Sequence, residues 1–439
     1  MSSEQLIFQD LKHIWHPCSQ MKDYETFKPL IVEKASGSYL TLSDNTQIID
    51  AISSWWCKIL GHNHPRIRKA LIQQTKLFEH VILANTTNKT LVNFSKKLIN
   101  ITAPLNKILF ASDGSSAVEI ALKLSLHSHL ILGKTKKTRF ISLSNSYHGE
   151  TSATLSVSDI GIYKDPYKPM LFDVEFIKNI PYVSGKNDPL WHNCDQHWHD
   201  IEKQIEPLKE TTAAVIVEPI LQGSGGMKIY SPDLLKKLRT WTKKNNIHLI
   251  ADEILTGLGR TGEMLACQHA NVMPDFLCLA KNLTAGWLPC SVTLTTDFIY
   301  NLFYDDYKKG KNFLHSHTHS GNALALAVAS ETIDILQEKN FCEKAQNLEL
   351  KMTEAFHNIA DTTKKIKNIR AIGGVVAADL ICPDNQRIGY ELYKIAMKNG
   401  ALLRPLGNTI YWLPPLNITD HSLKKLKNIT QKAITTLFE

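Results

Sequence analysis

A chain of 439 residues is too long for one simple core and suits a large domain with a smaller companion. Its 43% hydrophobic and 21% charged residues are ordinary for a folded enzyme, which excludes a disordered chain, and no apolar run approaches membrane-spanning length. The net charge of +8 comes from dispersed lysines such as Lys236-Lys237, Lys243-Lys244 and Lys308-Lys309; these read as solvated helix faces, so neither nucleic acid nor a membrane is expected as a partner.

The first residues, Met1-Ser2-Ser3-Glu4-Gln5, lack the basic-then-apolar pattern of a secretory signal, and the eight cysteines show no CxxC pairing. A cytoplasmic protein with reduced thiols is expected. Leu30 to Ala35 and Ser38 to Leu42 read as strands of a hairpin around Gly37, with Asp44-Asn45 as the next turn. Trp55-Trp56 belongs either to a core or to an apolar wall against a ligand. A helix begins near Pro65 and runs to Phe78.

Lys107 to Phe110 is a strand that feeds Gly114, Ser115 and Ser116, after which Ala117, Ile120, Ala121 and Leu124 recur at helical spacing. Those three residues therefore open a helix, where free amides and the helix dipole suit a phosphate, or where serine is a plain cap. Tyr147 follows the strand Arg139–Leu143 and could stack on a flat ring or simply pack. The buried strand Ala213 to Val217 ends in Glu218-Pro219. Strands and helices alternate from about Lys107 to Thr295, which predicts an α/β fold with a mainly parallel sheet.

Two further runs carry chemistry. Ile247 to Ala251 delivers Asp252, and Asp275 to Ala280 delivers Lys281, as buried parallel strands hand charged groups to the carboxyl edge of a sheet. Salt bridging is the ordinary use of such residues. The other is pyridoxal phosphate chemistry, in which a lysine holds the cofactor aldehyde and a carboxylate keeps its ring nitrogen protonated. Gly257 to Gly262 fits the spacing of a dinucleotide fingerprint, but it does not follow directly on the strand and lacks a suitably placed acid. His192 to Asp200 and the alternating His315, His317 and His319 lack the spacing or the carboxylate of a metal site, so no metal is expected. Downstream come a helix from Ala323 to Leu336, an α+β pattern, and Arg404 among apolar residues, suited to a carboxylate or to a structural ion pair.

Asp252-Glu253-Ile254-Leu255-Thr256-Gly257-Leu258-Gly259-Arg260-Thr261-Gly262 followed by Ala280-Lys281-Asn282-Leu283-Thr284-Ala285-Gly286 closely resembles the class III aminotransferases, pyridoxal-phosphate enzymes of fold type I. The likeness runs over nearly the whole chain in the same motif order. It implies a large domain over residues 59–334, built on a mainly parallel sheet of the seven-stranded type, and a smaller α+β domain from residues 1–58 and 335–439. It implies Lys281 as the cofactor-bearing lysine, Asp252 at the ring nitrogen, Tyr147 stacked on the ring, and Gly114 with Ser115 as the phosphate cradle. His317 and Thr318 would reach the phosphate of a neighbouring subunit in a homodimer with shared active sites. Ser316 would lie along the substrate channel, Trp55 and Trp56 would line it, Arg404 would hold a substrate carboxylate, and Arg260, Tyr411 and Glu218 would complete the pocket.

Within the family the likeness is greatest to members that move an amino group from S-adenosylmethionine to 8-amino-7-oxononanoate in biotin biosynthesis. Cys18 departs from the tyrosine often found there, which leaves lysine as the alternative donor; a class III ω-aminotransferase for ornithine or diamines is the other reading.

Overall fold

The computed structural model describes residues 1–383 and 385–439. Seven strands form the central sheet: β1 (Lys107–Ala111), β2 (Arg139–Leu143), β3 (Val174–Ile177), β4 (Thr212–Val217), β5 (His248–Asp252), β6 (Phe276–Leu279) and β7 (Ser291–Thr295). Their spatial order is β1-β7-β6-β5-β4-β2-β3. Neighbours run parallel from β6 through β5, β4 and β2 to β3, whereas β7 is antiparallel to both β6 and β1. Every residue of β4, β5, β6 and β7 is buried, because helices cover both faces; this is why these strands are near-continuous apolar runs rather than alternating ones.

The helix Gly114–Ile131 packs on β6 and β7. Ala117 is the contact point: its carbonyl accepts from Thr293 Oγ1 at 2.7 Å. Gly114 is constrained by the same closeness, since a Cβ there would lie 2.9 Å from Ile254 Cδ1.

Both chain ends build the rest. Val32–Ser36, Tyr39–Leu42 and Gln47–Asp50 form an antiparallel meander, with Gly37 at φ 56° in its first turn and the Asp44 carboxylate accepting from the Thr46 amide at 2.9 Å in the second. The fourth strand of that sheet is Ala401–Leu402, parallel to Gln47–Asp50 and pairing Leu402 with Asp50. An antiparallel sheet of Ile366–Ile372, Val375–Leu380 and Thr409–Trp412 is backed by the helices Phe341–Thr363 and Asp420–Phe438. Arg370 ties this sheet to the loop between the short strands Leu221–Gln222 and Lys228–Tyr230, donating to the Gly226 carbonyl at 2.6 Å while pairing with Asp379 at 2.9 Å. No described helix is long and apolar enough to cross a membrane.

The helix read from Pro65 stops at Thr75, and Arg404 lies in coil beyond the short strand Ala401–Leu402.

Candidate active site

The carboxyl ends of β5, β6, β4, β2 and β1 converge on one cavity of ≈ 500 Å³ lined by Asp252, Lys281, Glu218, Tyr147, Gly114 and Ser115. This is the expected placement for a site on a mainly parallel sheet. Trp55, Trp56, Arg404 and Tyr411 from the two chain ends close its other side.

Asp252 is buried, and each oxygen of its carboxylate accepts one hydrogen bond, which leaves acceptor capacity facing the cavity. Oδ2 accepts from His148 Nδ1 at 2.8 Å, and Oδ1 accepts from the Ile254 amide at 3.1 Å. A carboxylate can only accept, so Nδ1 carries the proton and Nε2 is left facing Ser142 Oγ at 3.4 Å. Next to it, Glu218 accepts from the Tyr147 amide and the Gly223 amide, each at 2.9 Å. Burial, reinforced by the Asp252 charge and opposed by His148, pushes the Glu218 carboxyl up to about 7.

Lys281 follows the end of β6 with φ 39°, left-handed for a residue that has a Cβ, and Ala285 closes the same turn at φ 47°. Its Nζ lies 5.2 Å from the centroid of the Trp56 ring and makes no ion pair among the described residues. Burial lowers its pKa, while the Asp252 and Glu218 carboxylates and Cys57 pull it back up. An amine in this state loses its proton more readily than a surface lysine.

The first two amides of the helix Gly114–Ile131, at Gly114 and Ser115, have no partner within the helix, since its cap Asp113 takes the Ser116 amide at 3.0 Å. Opposite them Gly149, at φ 127°, leaves the approach clear; a Cβ there would stand 2.2 Å from Ser115 Oγ. A phosphate fits this cradle, and a ring nitrogen fits against Asp252. A lysine amine without an ion pair completes a donor set suited to pyridoxal phosphate.

The tryptophan pair serves two purposes. Trp56 is buried and donates from Nε1 to Tyr411 Oη at 2.9 Å. Trp55 is 45% exposed, and its ring carries the Arg404 guanidinium 4.5 Å above it. The pairing of Leu402 with Asp50 brings Arg404 to this position, and its Nη2 donates to the Cys18 carbonyl at 2.9 Å. Tyr147 donates from its hydroxyl to Glu150 at 2.7 Å; burial, then Glu150, raises its phenol pKa.

Four expected residues lie elsewhere. Arg260 is fully buried outside the cavity, where its Nη1 donates to the Pro414 carbonyl at 2.8 Å, and burial lowers its pKa to about 9. It sits under the C-terminal segment because the turn after β5 carries it away from the sheet edge. Ser316, His317 and Thr318 are also outside the cavity of a single chain; His317 comes nearest, with Nδ1 3.4 Å from Ser112 Oγ, and the Thr318 carbonyl bonds His80 at 2.7 Å. Gly257 to Gly262, the fingerprint-like stretch, is a turn whose Gly257 carbonyl is held by Asn282 Nδ2 at 3.2 Å, and no helix opens from it. Sequence reasoning missed His148, although it adjoins Tyr147, and it missed Asp50, whose role depends on a turn that the residues do not advertise.

The family model for class-III aminotransferases matches residues 20–434. The chain is 41% identical over 426 residues to the adenosylmethionine-8-amino-7-oxononanoate aminotransferase of Helicobacter pylori, covering 96% of each chain. To the protein of the same name from Aquifex aeolicus it is 34% identical, covering 98% of this chain and 96% of the other. The structure superimposes on the crystal structure of adenosylmethionine-8-amino-7-oxononanoate aminotransferase from Methanocaldococcus jannaschii with a TM-score of 0.90 and 32% identity over 99% of both chains. An amine transaminase from an uncultivated Pseudomonas species gives a TM-score of 0.88 at 27% identity over 97% of this chain and 98% of the other.

Proposed function

The chain belongs to the class-III aminotransferases, and from that premise we propose that it transfers an amino group from S-adenosylmethionine to 8-amino-7-oxononanoate, giving 7,8-diaminononanoate for biotin biosynthesis, with pyridoxal 5′-phosphate as cofactor. The observation that carries this reading is the set of Lys281, Asp252 and the Gly114-Ser115 amides around one cavity. The relatives that share the adenosylmethionine name support its donor and acceptor.

When bound, pyridoxal phosphate supplies an electron-withdrawing ring that stabilises negative charge on a carbon losing or gaining a proton. Asp252, oriented by His148, would hold the ring nitrogen in its protonated form, Gly114 and Ser115 would hold the phosphate, and Tyr147 and Trp56 would border the ring. Lys281 then moves a proton to and from the reacting carbon, a task its lowered pKa suits. Arg404 holds the keto acid's distant carboxylate, its guanidinium kept in place by Trp55 and the Cys18 carbonyl. The apolar faces of the tryptophans accept two unlike substrates in turn because they impose little polar selection.

We assign the working form as a cytoplasmic homodimer in which His317 and Thr318 of each chain serve the other chain's phosphate. Support comes from their place outside this chain's own cavity, near its phosphate end.

Lys281→Ala tests the reading. Loss of the proton-transferring amine should cost at least about 10²–10⁴-fold in kcat. Normal turnover by that variant would remove Lys281 from the chemistry.

A further inference from the structure

Beyond the first cavity lies a larger one of ≈ 840 Å³, and the two share Cys18, Tyr163, Ser224, Arg404 and Leu406 as a common neck. We propose that this outer cavity is the subsite for the nucleoside end of the amino donor. The proposal rests on the reading of adenosylmethionine as donor and adds where its purine and ribose bind.

The inner cavity already has the cofactor and the reacting end of the donor to accommodate. Its ≈ 500 Å³ must hold the cofactor ring and phosphate together with the amino-acid end of the donor. The neck opens from that end toward the outer cavity and gives an attached nucleoside a way through.

The outer walls have the chemistry to receive it. Phe27 stands nearly perpendicular to Tyr393, with centroids 5.3 Å apart at 88°, and to Tyr390 at 6.3 Å and 85°. Rings set at right angles make a corner in which a flat base can stack on one face and meet the edge of another. Tyr24 lines the same space from the N-terminal segment. The corner is held rigid, because Asp23 on that segment pairs through both carboxylate oxygens with Arg387 at 3.1 and 2.8 Å, and the Arg387 guanidinium lies 4.4 Å from the Tyr390 centroid. The Asp159 carboxylate also lines the cavity, with one oxygen taken by the Asn145 amide at 3.1 Å. Its other oxygen can accept from ribose hydroxyls.

Tyr163 governs passage between the two. It lines the neck beside Cys18, with its ring 5.9 Å from that of Tyr147, so an aromatic wall borders the path although residue 18 has no ring. Lysine as donor reaches Lys281 without using the outer corner at all. The outer cavity therefore separates donors that the inner one does not.

Isothermal titration of the pyridoxal-phosphate-loaded enzyme with adenosine, and separately with 8-amino-7-oxononanoate, tests the assignment. Adenosine should bind and compete with adenosylmethionine, and Tyr393→Ala should weaken adenosine about tenfold more than it weakens the keto acid. Tyr393→Phe keeps the ring and should keep the affinity, which guards against a variant that is merely misfolded. Absence of adenosine binding to the wild type, equal losses for both ligands in Tyr393→Ala, or loss of adenosine in Tyr393→Phe would each overturn the subsite. Turnover of lysine with the keto acid, without adenosine binding, overturns the subsite and leaves the aminotransferase standing. Failure of the keto acid to react with any donor would instead overturn the functional reading itself.

Discussion

His148 decides which way the Asp252 carboxylate faces. A single bond at 2.8 Å joins them, and both groups are buried. Replacing His148 with Phe keeps a ring of similar breadth and removes the donor. The loss of one charge-assisted hydrogen bond, about 1.5–3 kcal/mol, should lower kcat about 10- to 100-fold, read by steady-state kinetics on a variant whose circular dichroism matches the wild type. An unchanged kcat would mean that Asp252 is oriented by something else. The strand ends at Asp252 and Lys281 are legible in the sequence because each closes a continuous apolar run, and such a run has one chemically distinct end. His148 is not legible in the same way: its partner is 104 residues away, and only the parallel arrangement of the sheet brings them together. Arg260 is hard to read for the opposite reason, since a guanidinium beside a motif reads as a ligand group and nothing in the sequence shows that its Nη1 donates to the Pro414 carbonyl.

The turn Ser53–Trp56 is an element that no periodicity foretells. Ser53, Ser54 and Trp56 all have positive φ, at 52°, 58° and 65°, which residues with side chains adopt only when held there. Asp50 supplies the hold: its carboxylate accepts from the Ile52 amide at 3.3 Å, from the Ser54 amide and hydroxyl at 2.9 Å each, and contacts His62 Nε2 at 2.7 Å. Asp50→Ala should therefore cost on the order of 2–4 kcal/mol in urea denaturation and raise KM for both substrates as the tryptophans lose their position; a cost under about 0.5 kcal/mol would show that the turn holds itself. A second element contributes to the response to acid. His129, on the helix Gly114–Ile131, stacks on His248 of β5 at 4.3 Å, with His129 bonded to the Ala213 carbonyl and His248 to Ser125. Burial lowers the two imidazoles to about 4 and about 3. Since the unfolded chain takes up these protons near pH 6.5 and the folded chain resists them, the stability they contribute is intact above 6.5 and lost as pH falls toward 4. The slope is about 1.4 kcal/mol per pH unit for each proton excluded. Denaturation of His248→Phe at pH 7 and pH 5 should show a shallower fall than the wild type; identical slopes would place the acid sensitivity elsewhere.

At the scale of the molecule, the alternation of strand and helix announces the large sheet, and even the helix Ala323–Leu336 can be read to the residue. The joining of the chain ends is implied by the family resemblance, but the strand that makes it cannot be read from periodicity. Ala401–Leu402 is too short to show any period, yet it is the strand that places Arg404 over Trp55. A chain stopped after residue 400 lacks this strand, Thr409–Trp412 and the last helix, so it should lack Trp56–Tyr411 closure and lose the cooperative unfolding transition seen for the full chain by circular dichroism; a truncated chain that melts like the full one would show that the N-terminal meander is stable by itself. The shared sheet also fixes an order of events on the ribosome. At ordinary elongation rates Gln47–Asp50 emerges roughly 20–70 s before its partner strand has been made, and through that interval the meander presents an unpaired edge. The newborn polypeptide gains Arg404 and Tyr411, which close one side of the cavity, only with its last forty residues, and until then the exposed edge is where a chaperone would be needed.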